Sequence, residues 1–241
     1  MAAADGKNEL TRLGSGEMFN AIAGRYDRLN RIISFGVDKG WRKKLVLGLG
    51  DLAPNERVLD VATGTADVAI DVARARPGVA ITGLDPSTAM VAIGRDKVTA
   101  LDLDAQVELV IGDGQDLPYE DNSFEGSCIS FGIRNVPDRS LCLSEMARVT
   151  KPGRNVVVLE LTEPRGGLLS PFARFYVRHI LPRIGGFLSG LKEYRYLQAS
   201  IAAFPSPEEF AIMMRDAGMV DITVKRLTMG TAHLFVGKVP E

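Results

Sequence analysis

The chain has 241 residues, enough for one large α/β domain with a substantial buried core and too short for two full domains with ease. Its 29 Lys and Arg against 30 Asp and Glu leave no global field to draw it onto nucleic acid, and no apolar run approaches the roughly 18 residues of a spanning helix. Cys128 and Cys142 are the only cysteines and lie in apolar segments without metal-ligand spacing or a secretory signal. They are expected to be buried thiols, with no metal, in a cytoplasmic protein that is at most peripheral on the inner face of a membrane.

In chain order, a polar, small-residue start is followed over residues 16–49 by apolar positions at helical spacing, broken at Ser34-Phe35-Gly36. This predicts a helical N-terminal lid over residues 1–50. From residue 57 onward, strand-like runs at 58–61, 80–84, 107–111, 126–130 and 155–161 alternate with amphipathic stretches, which predicts a mostly parallel sheet covered on both faces. A helix over 207–217 then precedes two runs, 220–227 and 231–239, joined through Met229-Gly230, and adjacent strands with so tight a turn must be antiparallel. The fold expected is α/β and Rossmann-like: one domain with a seven-stranded, mostly parallel sheet and one antiparallel edge strand. Residues 162–205 exceed an ordinary connection and read as a helical insertion over the substrate end. Between 165 and 190 it interleaves Leu168, Phe172, Phe175 and Ile180 with Arg165, Arg174, Arg178 and Arg183. That pattern suits contact with anionic lipid head groups, a channel for a lipid tail, or a packed cap with a solvated basic face.

The run Val58-Leu59-Asp60-Val61-Ala62-Thr63-Gly64-Thr65-Ala66-Asp67 ends a strand at an acid and turns through small residues, and Asp85 closes the next apolar run. The spacing approximates a dinucleotide fingerprint, in which glycines admit a pyrophosphate and a carboxylate about 20 residues on takes the ribose. Here the three glycines are missing, and Asp60 would repel a phosphate and welcome an ammonium. A ribose, an ammonium and no phosphate describe S-adenosylmethionine, although the loop alone also allows a plain βα turn. In the cofactor reading Asp60 faces the methionine ammonium directly or through water, Gly64 and Thr65 lend backbone groups, and Asp85 takes both ribose hydroxyls. After the third strand, Asp113 would accept from the adenine amino group while Gly112 and Gly114 let the backbone approach the ring; Ser130 would line the methionine side. Ala66 stands where many methyltransferases carry Gly, which a negative φ would tolerate.

Phe131-Gly132-Ile133-Arg134-Asn135-Val136 matches an F-G-[LI]-R-N-V signature, and with it the chain resembles the demethylmenaquinone and ubiquinone-biosynthesis C-methyltransferase family of class I S-adenosylmethionine-dependent enzymes. Further matches include Phe19, Tyr26-Asp27, Trp41, Lys151-Pro152-Gly153, Leu181-Pro182-Arg183-Ile184-Gly185, Phe204-Pro205 and Ala217-Gly218, so the likeness runs over 19–238. The resemblance implies cofactor contacts at Thr65, Asp85, Asp113, Gly114 and Ser130, and methylation of a ring carbon flanked by hydroxyls on a prenylated naphthoquinol or benzoquinol. Carbon methylation needs a hydroxyl polarised toward phenolate, a task for Arg134, with Asn135 orienting that hydroxyl or a water that removes the ring proton. Tyr26 and Tyr194 are expected to cover or orient the ring, or to pack. His179 and His233 are expected in structural or rim roles. Glu163 replaces a lysine common in the family. A methyltransferase acting on another lipophilic acceptor, or a non-catalytic cofactor-binding scaffold, are the alternatives. Neither a Tyr-x-x-x-Lys pair nor a Walker A loop is present. The sequence leaves a monomer and a homodimer both open.

Overall fold

The computed structural model describes residues 19–21, 23–24, 36–163 and 191–241. Within them the apolar runs form strands Arg57–Val61 (β1), Ala80–Asp85 (β2), Val107–Ile111 (β3), Phe124–Ser130 (β4), Thr150–Leu161 (β5), Val220–Leu227 (β6) and Ala232–Lys238 (β7). Helices are Asp38–Gly48 (α1), Asp67–Ala75 (α2), Thr88–Thr99 (α3), Arg139–Val149 (α4), Leu191–Ala202 (α5) and Pro207–Asp216 (α6), with short 3-10 turns at Ile133–Asn135 and Thr228–Gly230. The sheet order is β3-β2-β1-β4-β5-β7-β6. The first five strands pair in parallel, and β7 runs against both of its neighbours. The seven-stranded, mostly parallel sheet expected from the sequence is therefore present. Its reversed strand lies one place in from the edge, and β6 closes the sheet in the direction of the others.

Both faces are buried, as parallel strands require. Val58 and Cys128 meet α1, α2 and α3 on one face through Trp41, Leu45, Val68, Val72, Val91 and Val98. Leu59, Val61 and Ile129 meet α4 and α6 on the other through Leu143, Met146, Phe210 and Met214. Each fully buried Val, Leu or Ile contributes about 1.5–3 kcal/mol. Of the predicted lid, α1 is described: Trp41 packs on Phe131 with ring centroids 6.1 Å apart and donates to Thr228 Oγ1 at 2.9 Å. Residues 164–190 of the predicted insertion lie outside the described residues, and α5 follows them. Among the described residues no helix is long and apolar enough to cross a membrane, and no cluster of side chains is suited to a metal.

From β1 the chain steps outward to β2 and β3, then returns to place β4 on the opposite side of β1. The register aligns Val61 with Leu84 and with Ile129. The loops after β1 and β4 thus diverge at the point where strand order reverses, the crevice in which open α/β sheets bind ligands.

Candidate active site

Three residues of the loop after β1 hold left-handed backbone: Ala62 (φ 51°), Gly64 (φ 58°) and Ala66 (φ 66°). The negative φ that would have made Ala66 harmless is not met. Alanine there costs about 1–2 kcal/mol relative to a glycine-like backbone, and surrounding bonds hold it. Thr63 donates its backbone N–H to Leu84 O at 3.0 Å, and its hydroxyl to Asp60 Oδ2 at 2.6 Å. Gly64 N–H donates to Asp85 Oδ2 at 2.8 Å. Asp85 Oδ1 accepts from Ser87 N–H, also at 2.8 Å. The second acid is thereby the anchor of the first loop, and each of its oxygens keeps a lone pair for a ligand hydroxyl.

Asp60 is buried beneath this loop, its other oxygen accepting from Cys128 Sγ at 3.5 Å. Burial pushes its carboxyl up to about 7, with the charge of Asp85 adding to the rise and the bonds from Thr63 and Cys128 opposing it. Asp85 is also raised by burial, against its bonds from Ser87 and Gly64. Burial and the charge of Asp60 push the Cys128 thiol well up, and both cysteines are free and buried. A buried carboxyl raised by burial and by the charge of a second acid favours a cation beside it. The Thr65 hydroxyl accepts from Lys97 Nζ at 3.2 Å, and Lys97 also pairs with Asp67, so the Thr65 side chain secures the loop.

Asp113 lies exposed past β3, its carboxylate accepting from Gln115 N–H at 2.9 Å and from the Gln115 amide. The flanking glycines answer to packing as well as to any ligand: a Cβ at Gly112 would stand 2.6 Å from Leu84 Cδ1, and one at Gly114 would stand 2.7 Å from Val61 Cγ1. Ser130, at the end of β4, has a buried hydroxyl with no protein partner among the described residues, the mark of a polar group reserved for a ligand or water.

Beyond β4 the chain turns sharply at Phe131 (φ 55°), and a Cβ at Gly132 would meet the Ala62 methyl at 2.7 Å. The loops after β1 and β4 therefore touch, which brings the Arg134-Asn135 turn against the acid pair's loop. Arg134 is neither a surface arginine nor an open cation. Its Nη1 donates to Phe131 O at 2.6 Å and to Glu160 Oε1 at 2.7 Å, and the guanidinium is 8% exposed beside a carboxylate that is 0% exposed. Asn135 Oδ1 accepts from the Tyr196 hydroxyl at 2.9 Å.

Sequence reasoning missed three contributors. Glu160 was legible in principle, because a lone acid in a run of Val and Leu requires a buried partner. Tyr196 was passed over for Tyr194; residues two apart on a helix face different ways, and sequence alone does not say which faces inward. Asn20, in the first described turn, accepts from Ser87 Oγ at 2.7 Å and from Ala89 N–H at 3.0 Å, securing the N-terminal segment beside Asp85. Tyr26, His179 and the side chain of Tyr194 lie outside the described residues. His233 shares a 2.7 Å hydrogen bond with Thr162 Oγ1 and is lowered chiefly by burial, in keeping with a structural role.

Several known proteins are similar to this one. A ubiquinone/menaquinone biosynthesis C-methyltransferase, UbiE, of Geotalea daltonii is 44% identical over 92% of this chain and 94% of its own length. A demethylmenaquinone methyltransferase of Bacillus cytotoxicus is 42% identical over 93% of this chain and 95% of its own. Among solved structures, a putative S-adenosyl-L-methionine-dependent methyltransferase of Methanococcus maripaludis superposes with a TM-score of 0.68 at 14% identity, covering 95% of this chain and 94% of that one. Phosphoethanolamine N-methyltransferase 2 of Haemonchus contortus, solved with S-adenosyl-L-methionine, gives 0.64 at 17% identity over 83% of this chain, which spans about half (52%) of that enzyme. These likenesses establish the shared fold. The model of the ubiE/COQ5 methyltransferase family matches residues 7–238, nearly the whole sequence, and the chain belongs to that family.

Proposed function

We propose that this protein transfers the methyl group of S-adenosylmethionine to a ring carbon of a prenylated quinol in menaquinone or ubiquinone biosynthesis. The observation that carries the reading is the close approach of Gly132, which opens the Arg134-Asn135 turn, to Ala62 of the acid-pair loop, at the point where strand order reverses. The names of the family's members support the acceptor class, and the cofactor bound in a structural neighbour supports the donor. The cofactor supplies an electrophilic methyl group on a sulfonium.

The donor set fits such a cofactor. Asp85 retains acceptor sites for two ribose hydroxyls, and the Asp60–Asp85 pair calls for the positive charge of an ammonium. Ser130 offers a buried hydroxyl unengaged among the described residues, and Gly64, Thr65, Asp113 and Gly114 line the path. Asp60 is covered by Thr63, so it acts on the ammonium through its field or through water. Arg134 holds the acceptor hydroxyl and favours its phenolate form from a water-poor position where hydrogen bonds are strong. Asn135, held by Tyr196, orients that hydroxyl or the water that takes the ring proton. The sequence alone assigns Tyr26 and Tyr194 to the ring and the basic, apolar segment 165–190 to an anionic membrane surface, in a protein that is otherwise cytoplasmic. A homodimer is compatible with this arrangement.

Incubation with methyl-labelled S-adenosylmethionine and demethylmenaquinol, or its benzoquinol counterpart, followed by mass analysis, should place the label on ring carbon. Label on oxygen, or no turnover with either quinol, would sink the reading. Arg134→Ala should lower kcat while leaving cofactor affinity within about twofold, because in this reading the guanidinium, held by Glu160 and Phe131, serves the acceptor and not the cofactor. Normal turnover in that variant would remove Arg134 from the chemistry.

A further inference from the structure

The methyl-transfer reading leaves Glu160 without a task, although its carboxylate is fully buried at the C-terminal end of β5, where a charge persists only when paired. Oε1 accepts from Arg134 Nη1 at 2.7 Å and from Leu161 N–H at 2.7 Å, and Oε2 accepts the backbone N–H of Arg134 at 3.2 Å. One carboxylate thus grips the side chain and the backbone of the same arginine, with Phe131 O closing the other side of Nη1 at 2.6 Å. Among the described residues, charged and titratable groups around the pair come from α4, α5, α6, β6 and β7. Arg139 of α4 donates to Arg134 O at 3.0 Å, and Tyr196 of α5 reaches Asn135. His233 of β7 pairs in register with Glu160, and Arg226 of β6 with His233. The charge of Glu208 of α6 opposes that of Arg226 on His233.

We propose that Glu160 is a positioning residue for the methyl transfer: it fixes Arg134 toward the acceptor hydroxyl and compensates its charge, so that the guanidinium serves as an oriented hydrogen-bond donor. The assignment rests on the quinol-methylation reading. Of this pair Arg134 touches the acceptor, and Glu160 acts through it. Without the carboxylate the guanidinium would lose the bonds that place it and the negative charge of Glu160 beside it. Misplacement lowers the rate, and removal of that negative charge draws the acceptor hydroxyl toward phenolate at lower pH. A purely structural glutamate would produce neither effect on a folded enzyme.

The test is the pH profile of kcat on demethylmenaquinol for the wild type, E160Q and E160D, with cofactor affinity measured by calorimetry. E160Q should bind cofactor as the wild type does, lose about 100-fold in kcat with a small change in KM, and carry the rising limb of its profile to lower pH. E160D keeps the charge on a shorter side chain, so it should hold the wild-type limb while losing at least about 10-fold in kcat. His233 is pushed down chiefly by burial, and H233Q, which removes its titration, should leave the wild-type limb in place. Wild-type kcat in E160Q, or a loss with the limb unmoved, overturns the assignment. If E160Q does not fold, E160D decides, and a wild-type kcat there overturns it equally. An inactive wild type overturns the methylation reading itself, and the role of Glu160 with it.

Discussion

Ala62 and Ala66 both occupy left-handed backbone, yet their surroundings differ, and the difference can be measured. Ala62 is half-buried, whereas Ala66 is fully buried among Val68, Ala69 and Val91 and caps the start of α2. Relief of left-handed strain contributes about 1–2 kcal/mol on replacement by glycine. Loss of a buried methyl costs about 0.8 kcal/mol, and the freer unfolded chain costs about 0.4–1 kcal/mol more. Ala62→Gly should therefore raise the urea midpoint, while Ala66→Gly should leave it nearly unchanged; a lowered midpoint for Ala62→Gly would refute the strain. Asp60 and Asp85 were legible in the sequence because each ends an apolar run, a pattern that survives folding. The backbone sign at Ala66 was not, since φ depends on bonds made by Thr63 and Gly64 to the next strand. The Arg134–Glu160 pair joins residues from two different strand ends, so neither local spacing nor periodicity announces it.

Helix α6 shows how far an element can be read before its structure is known. Ser206-Pro207-Glu208-Glu209 spells a capping box with proline in the first turn. Ser206 Oγ accepts Glu209 N–H at 3.2 Å, and Glu209 Oε2 accepts Ser206 N–H at 2.7 Å. The helix then buries Phe210 and Met214 against Phe235 and its neighbours, away from the crevice. Ser206→Ala should cost about 1 kcal/mol of unfolding free energy and leave cofactor affinity untouched. A fall in affinity would show that α6 supports the site more directly than its packing indicates. Strand β5 was less legible. Lys151-Pro152-Gly153 has the composition of a turn, but the strand begins at Thr150 and passes through Gly153 at φ 73°, with a register shift opposite Phe124 and Gly126. A distortion of this kind accommodates glycine and proline without ending the ladder.

At the scale of the whole molecule, the buried acids couple stability, pH and cofactor binding. Asp60 titrates at about 7 in the fold and at about 3.9 in the unfolded chain. Below both values each state holds the proton; as pH rises between them the unfolded chain releases it first, so the folded protein loses stability until about pH 7 and no further. The full penalty is of order 4 kcal/mol for a shift of about three units. A ligand carrying an ammonium beside Asp60 and Asp85 favours the ionised acids and offsets that penalty, so its affinity rises with pH over the same window. S-adenosylhomocysteine carries the ammonium without the reactive methyl, and its α-amino group, beside a free carboxylate as in a free amino acid, is protonated throughout this window. At a fixed concentration its stabilisation of the fold, measured by scanning calorimetry, should be larger at pH 7.2 than at pH 5.5. Saturation at about 100 times Kd corresponds to about 2.7 kcal/mol, a shift of roughly 5–10 °C in Tm for a chain of this size. Asp60→Asn removes the buried charge, so the ligand-free variant should be at least as stable as the wild type at pH 7.2. It should also bind the ligand more weakly, with little dependence on pH. A variant that kept the wild-type pH dependence would move the titration to another group and leave Asp60 as a loop anchor alone.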